Sequence, residues 1–80
     1  MSLERSLREV ETRRQVPPPD QRRQIRESAG VSQEVVAREL MVSRAAVSRW
    51  ETSNRIPRDR RVLRRYVKLL ERMRIATGNA

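Results

Sequence analysis

The 80 residues carry 19 Lys and Arg against 10 Asp and Glu, a net charge of +9, with 36% apolar residues, one Trp, one Tyr and no Phe. A chain of this length builds one small domain around one modest core. It contains no Cys and no His, which removes disulfides, thiolate metal sites and the usual general base; no apolar run approaches the roughly 20 residues of a membrane span and charge begins within the first few residues, so a cytoplasmic protein without leader, metal or cofactor is expected.

Residues 1–16 form the first expected helix. Leu3, Leu7 and Val10 recur at i, i+4, i+7, Ser2 can cap the start, and Glu4–Arg8 and Glu9–Arg13 are favourable i, i+4 pairs. Pro17–Pro18–Pro19 ends it. The apolar stripe is narrow, so this helix packs on the flank of the domain or on a second copy of the chain, or else stays a solvated extension. The next helix starts at Pro19 or Asp20 and runs to Ala29, with Ile25 and Ala29 inward and Gly30 at the left-handed C-cap position.

The chain is organised around Gln33–Thr52, QEVVARELMVSRAAVSRWET. Val36, Ala37 and Leu40 keep a helical spacing, the period breaks at Met41–Val42–Ser43, and it restarts in a new phase with Val47 and Trp50. Two short helices joined by a tight turn produce this pattern. Ser32 and Ser43 stand just before them, where a hydroxyl can cap free backbone N–H groups, and Ala37 lets the axes cross closely. This is the sequence form of a helix-turn-helix.

SQEVVARELMVSRAAVSRWETSNRIP, together with IRESAGV before it, resembles the helix-turn-helix of the lambda Cro/repressor family, also called the XRE family. The match covers Ile25–Pro57, with Gln33, Ala37, Leu40, Val47, Glu51 and Pro57 in the family's register. Two glycines of the family are absent. Met41 stands in the inter-helix turn, where a non-Gly residue at positive φ costs on the order of 1 kcal/mol, and Ser53 follows the recognition helix. The resemblance implies that Arg26 pairs with Glu51, tying the first family helix to the end of the recognition helix. It also implies base contacts from the positions of Arg44, Ala45 and Arg49, a phosphate contact from Gln33, and a sugar–phosphate clamp at Asn54, Arg55 and Arg58.

The residues themselves support a DNA-reading helix over 43–52. Ala46, Val47 and Trp50 share one side; Arg44, Ala45, Ser48 and Arg49 share the other. The first side is core, Trp50 included, since one isolated aromatic is not the stacking set of a single-strand binder. On the second, Ala45 can approach a thymine methyl, Ser48 can bond a base edge or phosphate, and Arg44 and Arg49 can each present a fork to guanine. A phosphate contact is the other reading of Arg49. Ser43, at the helix start, joins the phosphate-contacting set. Ser53–Pro57 is a loop, and Pro57 suits the first turn of a last helix over about Arg58–Met73.

That last helix is strongly amphipathic. Val62, Leu63, Tyr66, Val67, Leu70 and Met73 form an apolar stripe that closes the core, with the Tyr66 hydroxyl expected at its edge. Arg61, Arg64, Arg65, Lys68 and Arg72 lie opposite. Residues 54–80 hold eight Arg and Lys68 against Asp59 and Glu71, so +7 of the net +9 falls here. A concentration of this sign favours a polyanion. The stripe itself has three readings: a solvated face, flanking phosphate or minor-groove contact, or a surface for a dimer or acidic partner.

The expected fold is all-α, a compact lambda-repressor-like helix-turn-helix bundle with an added N-terminal helix and a long C-terminal one. Its parts are an amphipathic helix (1–16), a DNA-binding domain (17–74) and a flexible tail (75–80). The expected function is a sequence-specific double-stranded DNA-binding regulator of the Cro/repressor kind, phage or mobile-element type, possible as a homodimer on a palindromic operator. The alternative is a DNA-binding antitoxin or interaction module that also grips a protein through the N-terminal helix. An enzyme using Tyr66 as nucleophile is rejected, because no His or paired acid is present to move protons and the Tyr lies on an apolar stripe.

Overall fold

The computed structural model describes residues 3–78, and these form five α-helices in the order α1 (Leu3–Arg14), α2 (Pro19–Ser28), α3 (Gln33–Leu40), α4 (Arg44–Thr52) and α5 (Arg60–Ala76). Helices α3 and α4 pack on each other, α2 packs on α4 and α5, α5 closes over α3, and α1 rests on α5. The architecture is the all-helical bundle expected.

Two serines set the starts of the central pair. The Ser32 hydroxyl accepts from the Val35 N–H at 3.2 Å and the Ser43 hydroxyl from the Ala46 N–H at 3.1 Å, each satisfying one orphan donor of a first turn. Two left-handed residues set the stops. Gly30 (φ 70°) closes α2 just past its Ala29 cap, with the Val31 N–H bonded to the Arg26 carbonyl; Met41 (φ 58°) ends α3, with the Val42 N–H bonded to the Ala37 carbonyl at 2.9 Å. Both are Schellman-type closures. Met41 adopts the left-handed conformation despite its Cβ, so the missing glycine changes the strain of the turn and not its form.

The core gathers Val36, Ala37, Leu40, Val47, Trp50, Tyr66, Leu70 and Met73, with Ile25, Ala29, Val31, Val42, Ala46, Val62 and Leu69 packed on it. Trp50 is a core residue, tilted against Tyr66 with ring centroids 5.0 Å apart. The Tyr66 hydroxyl does not reach an edge. The residue is 1% exposed and the hydroxyl has no hydrogen-bond partner among the described residues.

Helix α5 departs from expectation at both ends. It starts at Arg60, since the Asp59 carboxylate accepts from the Arg61 and Val62 N–H groups at 2.8 and 3.2 Å and makes Asp59 the N-cap; Pro57 and Arg58 therefore lie in the loop. It continues to Ala76, so Ile75 and Ala76 are helical and the expected loose tail is not seen there. No breaker precedes Gly78 (φ 75°), and the Thr77 hydroxyl bonds the Met73 and Arg74 carbonyls. Residues 79–80 lie outside the described residues, as does the Ser2 cap; the Glu9–Arg13 pair falls on side chains that are not described.

Helix α1 packs on α5, yet Leu3, Leu7 and Val10 all remain exposed. Its apolar stripe is not the side that meets the domain.

Candidate nucleic-acid interface

The α4 helix exposes Arg44, Ala45 and Arg49, leaves Ser48 half-buried, and buries Val47, Trp50 and Glu51. Its outward edge therefore carries two guanidinium groups around one methyl. Thr52 and Ser53 hydroxyls donate back to the Ser48 and Arg49 carbonyls at 2.9 and 2.8 Å, which closes the last turn.

A relay of polar contacts runs behind this edge. Arg26 donates through Nε and Nη2 to the two Glu51 carboxylate oxygens at 2.6 and 2.9 Å, and through Nη1 to the Val31 carbonyl at 2.8 Å. All three nitrogens are thus used, and the hydrogen bond to Glu51 raises the Arg26 pKa above its ordinary value against the opposing effect of burial. Gln33 donates through Nε2 to Glu51 at 3.1 Å, and its Oε1 accepts from Arg44 Nη1 at 3.4 Å. The buried carboxylate thereby orients the Gln33 amide, and the amide in turn faces its oxygen toward Arg44. Gln33 is half-buried with both ends of its amide engaged, so a phosphate reaching it must share these bonds.

Around the edge stand the other sequence-derived residues. Ser43 caps α4 as an acceptor, which leaves its hydroxyl hydrogen able to donate outward. Asn54, Arg55 and Arg58 are exposed on the loop between α4 and α5. Arg58, Arg60, Arg61 and Arg64 line, with Asp59, an open cleft of about 450 Å³ at the start of α5. Further along α5, Arg61, Arg64, Arg65, Lys68 and Arg72 are exposed as expected, but Arg65 also donates through Nη2 to the Glu39 carbonyl at 2.7 Å, capping the end of α3.

Sequence reasoning missed Arg22. It is 4% exposed, donating Nε to the Pro17 carbonyl at 2.6 Å and Nη1 to the carbonyls of Trp50 and Arg55 at 2.8 and 3.0 Å. Burial lowers its pKa below the ordinary value, partly offset by Tyr66, yet a guanidinium stays charged at any physiological pH. The signal available was spacing: Arg22 lies four residues before Arg26 and three before Ile25, on the side of α2 that turns inward.

Among the described residues no helix is long and apolar enough to cross a membrane, and no cluster of three acidic, His or Cys side chains could hold a metal ion. A family model described as helix-turn-helix matches residues 23–64. That span runs from within α2 to the second turn of α5 and includes the whole relay from Arg26 to Arg44. No curated protein matches the chain, and no solved structure matches it.

Proposed function

The chain belongs to the helix-turn-helix family of the XRE kind, DNA-binding regulators rather than catalysts, and from that premise we propose a sequence-specific transcriptional regulator that lays α4 in the major groove of duplex DNA. The observation that carries this reading is the division of α4: Val47, Trp50 and Glu51 are buried while Arg44, Ala45 and Arg49 face out. A helix with such an edge fits a groove about 12 Å wide. In this proposal Arg44, Ala45, Ser48 and Arg49 meet base edges, and Gln33, Ser43, Asn54, Arg55 and Arg58 meet phosphates. The Gln33–Arg44 contact supports the assignment, because it limits the freedom of a side chain whose fork must be planar to guanine. The narrower reading, a small Cro-like repressor of phage or mobile-element type acting in the cytoplasm, rests on the resemblance of residues 25–57.

Selection from random duplexes tests the proposal. One enriched motif is expected, and if each protomer neutralises about six phosphates, log K against log salt should slope near −5, about twice that for a dimer. Enrichment of no motif, with a slope near zero, would remove DNA as the partner.

The exposed stripe Leu3, Leu7 and Val10 favours a second reading of α1, as a contact for another copy of the chain on a palindromic site. In this scheme residues 1–16 are an accessory to the DNA-binding unit of 17–74. A partner protein gripped by the same stripe, as in an antitoxin, is the competing occupant.

A further inference from the structure

We propose that Arg22 is a positioning residue for DNA binding: its buried guanidinium sets the loop that presents Asn54 and Arg55 against the end of the recognition helix. The proposal rests on the reading of Asn54 and Arg55 as phosphate contacts.

One nitrogen, Nη1, donates at once to the Trp50 carbonyl in the last turn of α4 and to the Arg55 carbonyl in the loop, 2.8 and 3.0 Å away. The spacing between helix end and loop is thereby fixed through a single atom. Nε holds the Pro17 carbonyl at 2.6 Å, which keeps the guanidinium from swinging. The loop has no glycine and no positive φ, so its form is not dictated by a special backbone conformation. On its far side Pro57 is buried, leaving Asn54 and Arg55 exposed between two fixed points.

The acceptors are suited to a cation. Trp50 contributes a carbonyl at the C-terminal end of α4, where the helix dipole is negative. Its three hydrogen bonds all go to backbone carbonyls, whose dipoles point their negative ends at the cation. A buried apolar side chain would fill this place at lower desolvation cost; what only the planar fork supplies is the simultaneous bond to three backbone segments, which a lysine cannot reproduce. Restraining the loop before DNA arrives lowers the ordering cost of each phosphate contact.

The test is a double-mutant cycle on the full chain, binding a duplex selected by the wild type and a scrambled duplex across a salt series. Arg22→Met keeps a flexible unbranched apolar stem, shorter than arginine, and removes every donor. It should weaken both duplexes by about tenfold, leave their ratio unchanged, and flatten the salt slope by about one unit. In the Arg55→Ala background the same substitution should cost clearly less than in the wild type, since of the two contacts it positions only that of Asn54 remains. Arg22→Lys should restore part of the affinity, and it carries the same cycle if Arg22→Met melts below the assay temperature. A residue with only a folding role would lower the melting temperature and leave slope and coupling unmoved. Losses that add independently of Arg55, or an unchanged slope, overturn the proposal. A wild-type protein with no salt-dependent binding to any duplex removes the DNA reading itself, a result seen before any variant is made, and this proposal falls with it.

Discussion

Arg26 and Glu51 face each other in a two-pronged pair, with bonds of 2.6 and 2.9 Å and side chains only 12% and 2% exposed. It joins α2 to α4 across 25 residues of sequence, and the same carboxylate holds Gln33. A pair this buried is a weak stabiliser against an apolar substitute but expensive to break from one side. Glu51→Ala should therefore cost about 3–5 kcal/mol, a large part of the stability of so small a domain. The double variant Arg26→Met/Glu51→Leu should cost far less than the two single changes together. Denaturant melts of the four proteins decide it; a loss below about 1 kcal/mol for Glu51→Ala would show the pair to be incidental.

Tyr66 offers a pH-dependent prediction. Desolvation, with Glu51 adding to it and Arg22 and Arg26 opposing, pushes its pKa up to about 12 from the ordinary 10.0. The folded protein thus keeps the proton over a range where the unfolded chain has released it. Stability is unaffected by this group below about pH 10 and falls as pH rises toward 12, by about 1.4 kcal/mol per unit. Tyr66→Phe should abolish that part of the decline. Near neutral pH it should be neutral or stabilising by about 1 kcal/mol, since it removes a buried hydroxyl without a partner. Melting of both proteins from pH 7 to 11.5 checks this, and the single tyrosine makes an absorbance titration unambiguous. Destabilisation by Tyr66→Phe at pH 7 would mean that the hydroxyl is bonded.

What the sequence revealed, and what it hid, follows from how local each feature is. The caps at Ser32 and Ser43, the stop at Gly30 and the inward side of α4 are set within a turn or two, so a local pattern carries them. The start of α5 is not legible in the sequence, because Pro57 and Asp59 both suit the start of a helix and only the bonds to the Asp59 carboxylate choose between them. Arg22 and Arg65 were hidden for another reason. Each donates to a backbone carbonyl 26 or more residues away, at Trp50, Arg55 or Glu39, and a carbonyl acceptor leaves no mark in composition. In a chain with many arginines, nothing but fold separates a structural one from a solvated one. The Arg26–Glu51 pair was expected from resemblance; spacing alone would not have joined them.

Met41 gives a prediction that depends on the turn alone. It is left-handed and 84% exposed, so its side chain contributes little burial while its Cβ strains the turn. Met41→Gly relieves about 1 kcal/mol of that strain and gives back part of it as unfolded-state entropy. A net gain of about 0.5 kcal/mol, or a few degrees in melting temperature, is expected. A lower melting temperature would mean that Met41 makes a stabilising contact in solution, for instance with another chain.

Residues 1–16 can be removed without touching the core, whose members and packed neighbours lie between Ile25 and Met73. The truncated chain should remain helical and melt cooperatively. If the Leu3–Leu7–Val10 stripe joins two copies, sedimentation should give a dimer for the full chain and a monomer for the truncated one, with half-site binding retained and full-site affinity reduced. Equal masses would exclude the pairing role, and a monomeric full chain would turn attention to a different protein on that stripe.

Reading and holding should separate between Arg49 and Arg55. Arg49 projects from the exposed edge of α4, where a planar fork can meet the O6 and N7 of guanine; Arg55 projects from a loop that follows the backbone. Arg49→Ala should cost about 1–3 kcal/mol on the selected site and much less on scrambled DNA, because the guanine pairing exists only on the right sequence. Arg49→Lys should not restore discrimination, since a point charge keeps phosphate attraction and loses the fork. Arg55→Ala should weaken both duplexes alike and reduce the salt slope by about one unit. Binding of the three variants to both duplexes at two salt concentrations is sufficient. Equal loss on both duplexes for Arg49→Ala would place that side chain on phosphate, and sequence reading would pass to Arg44, which Gln33 already holds at the entrance of the helix.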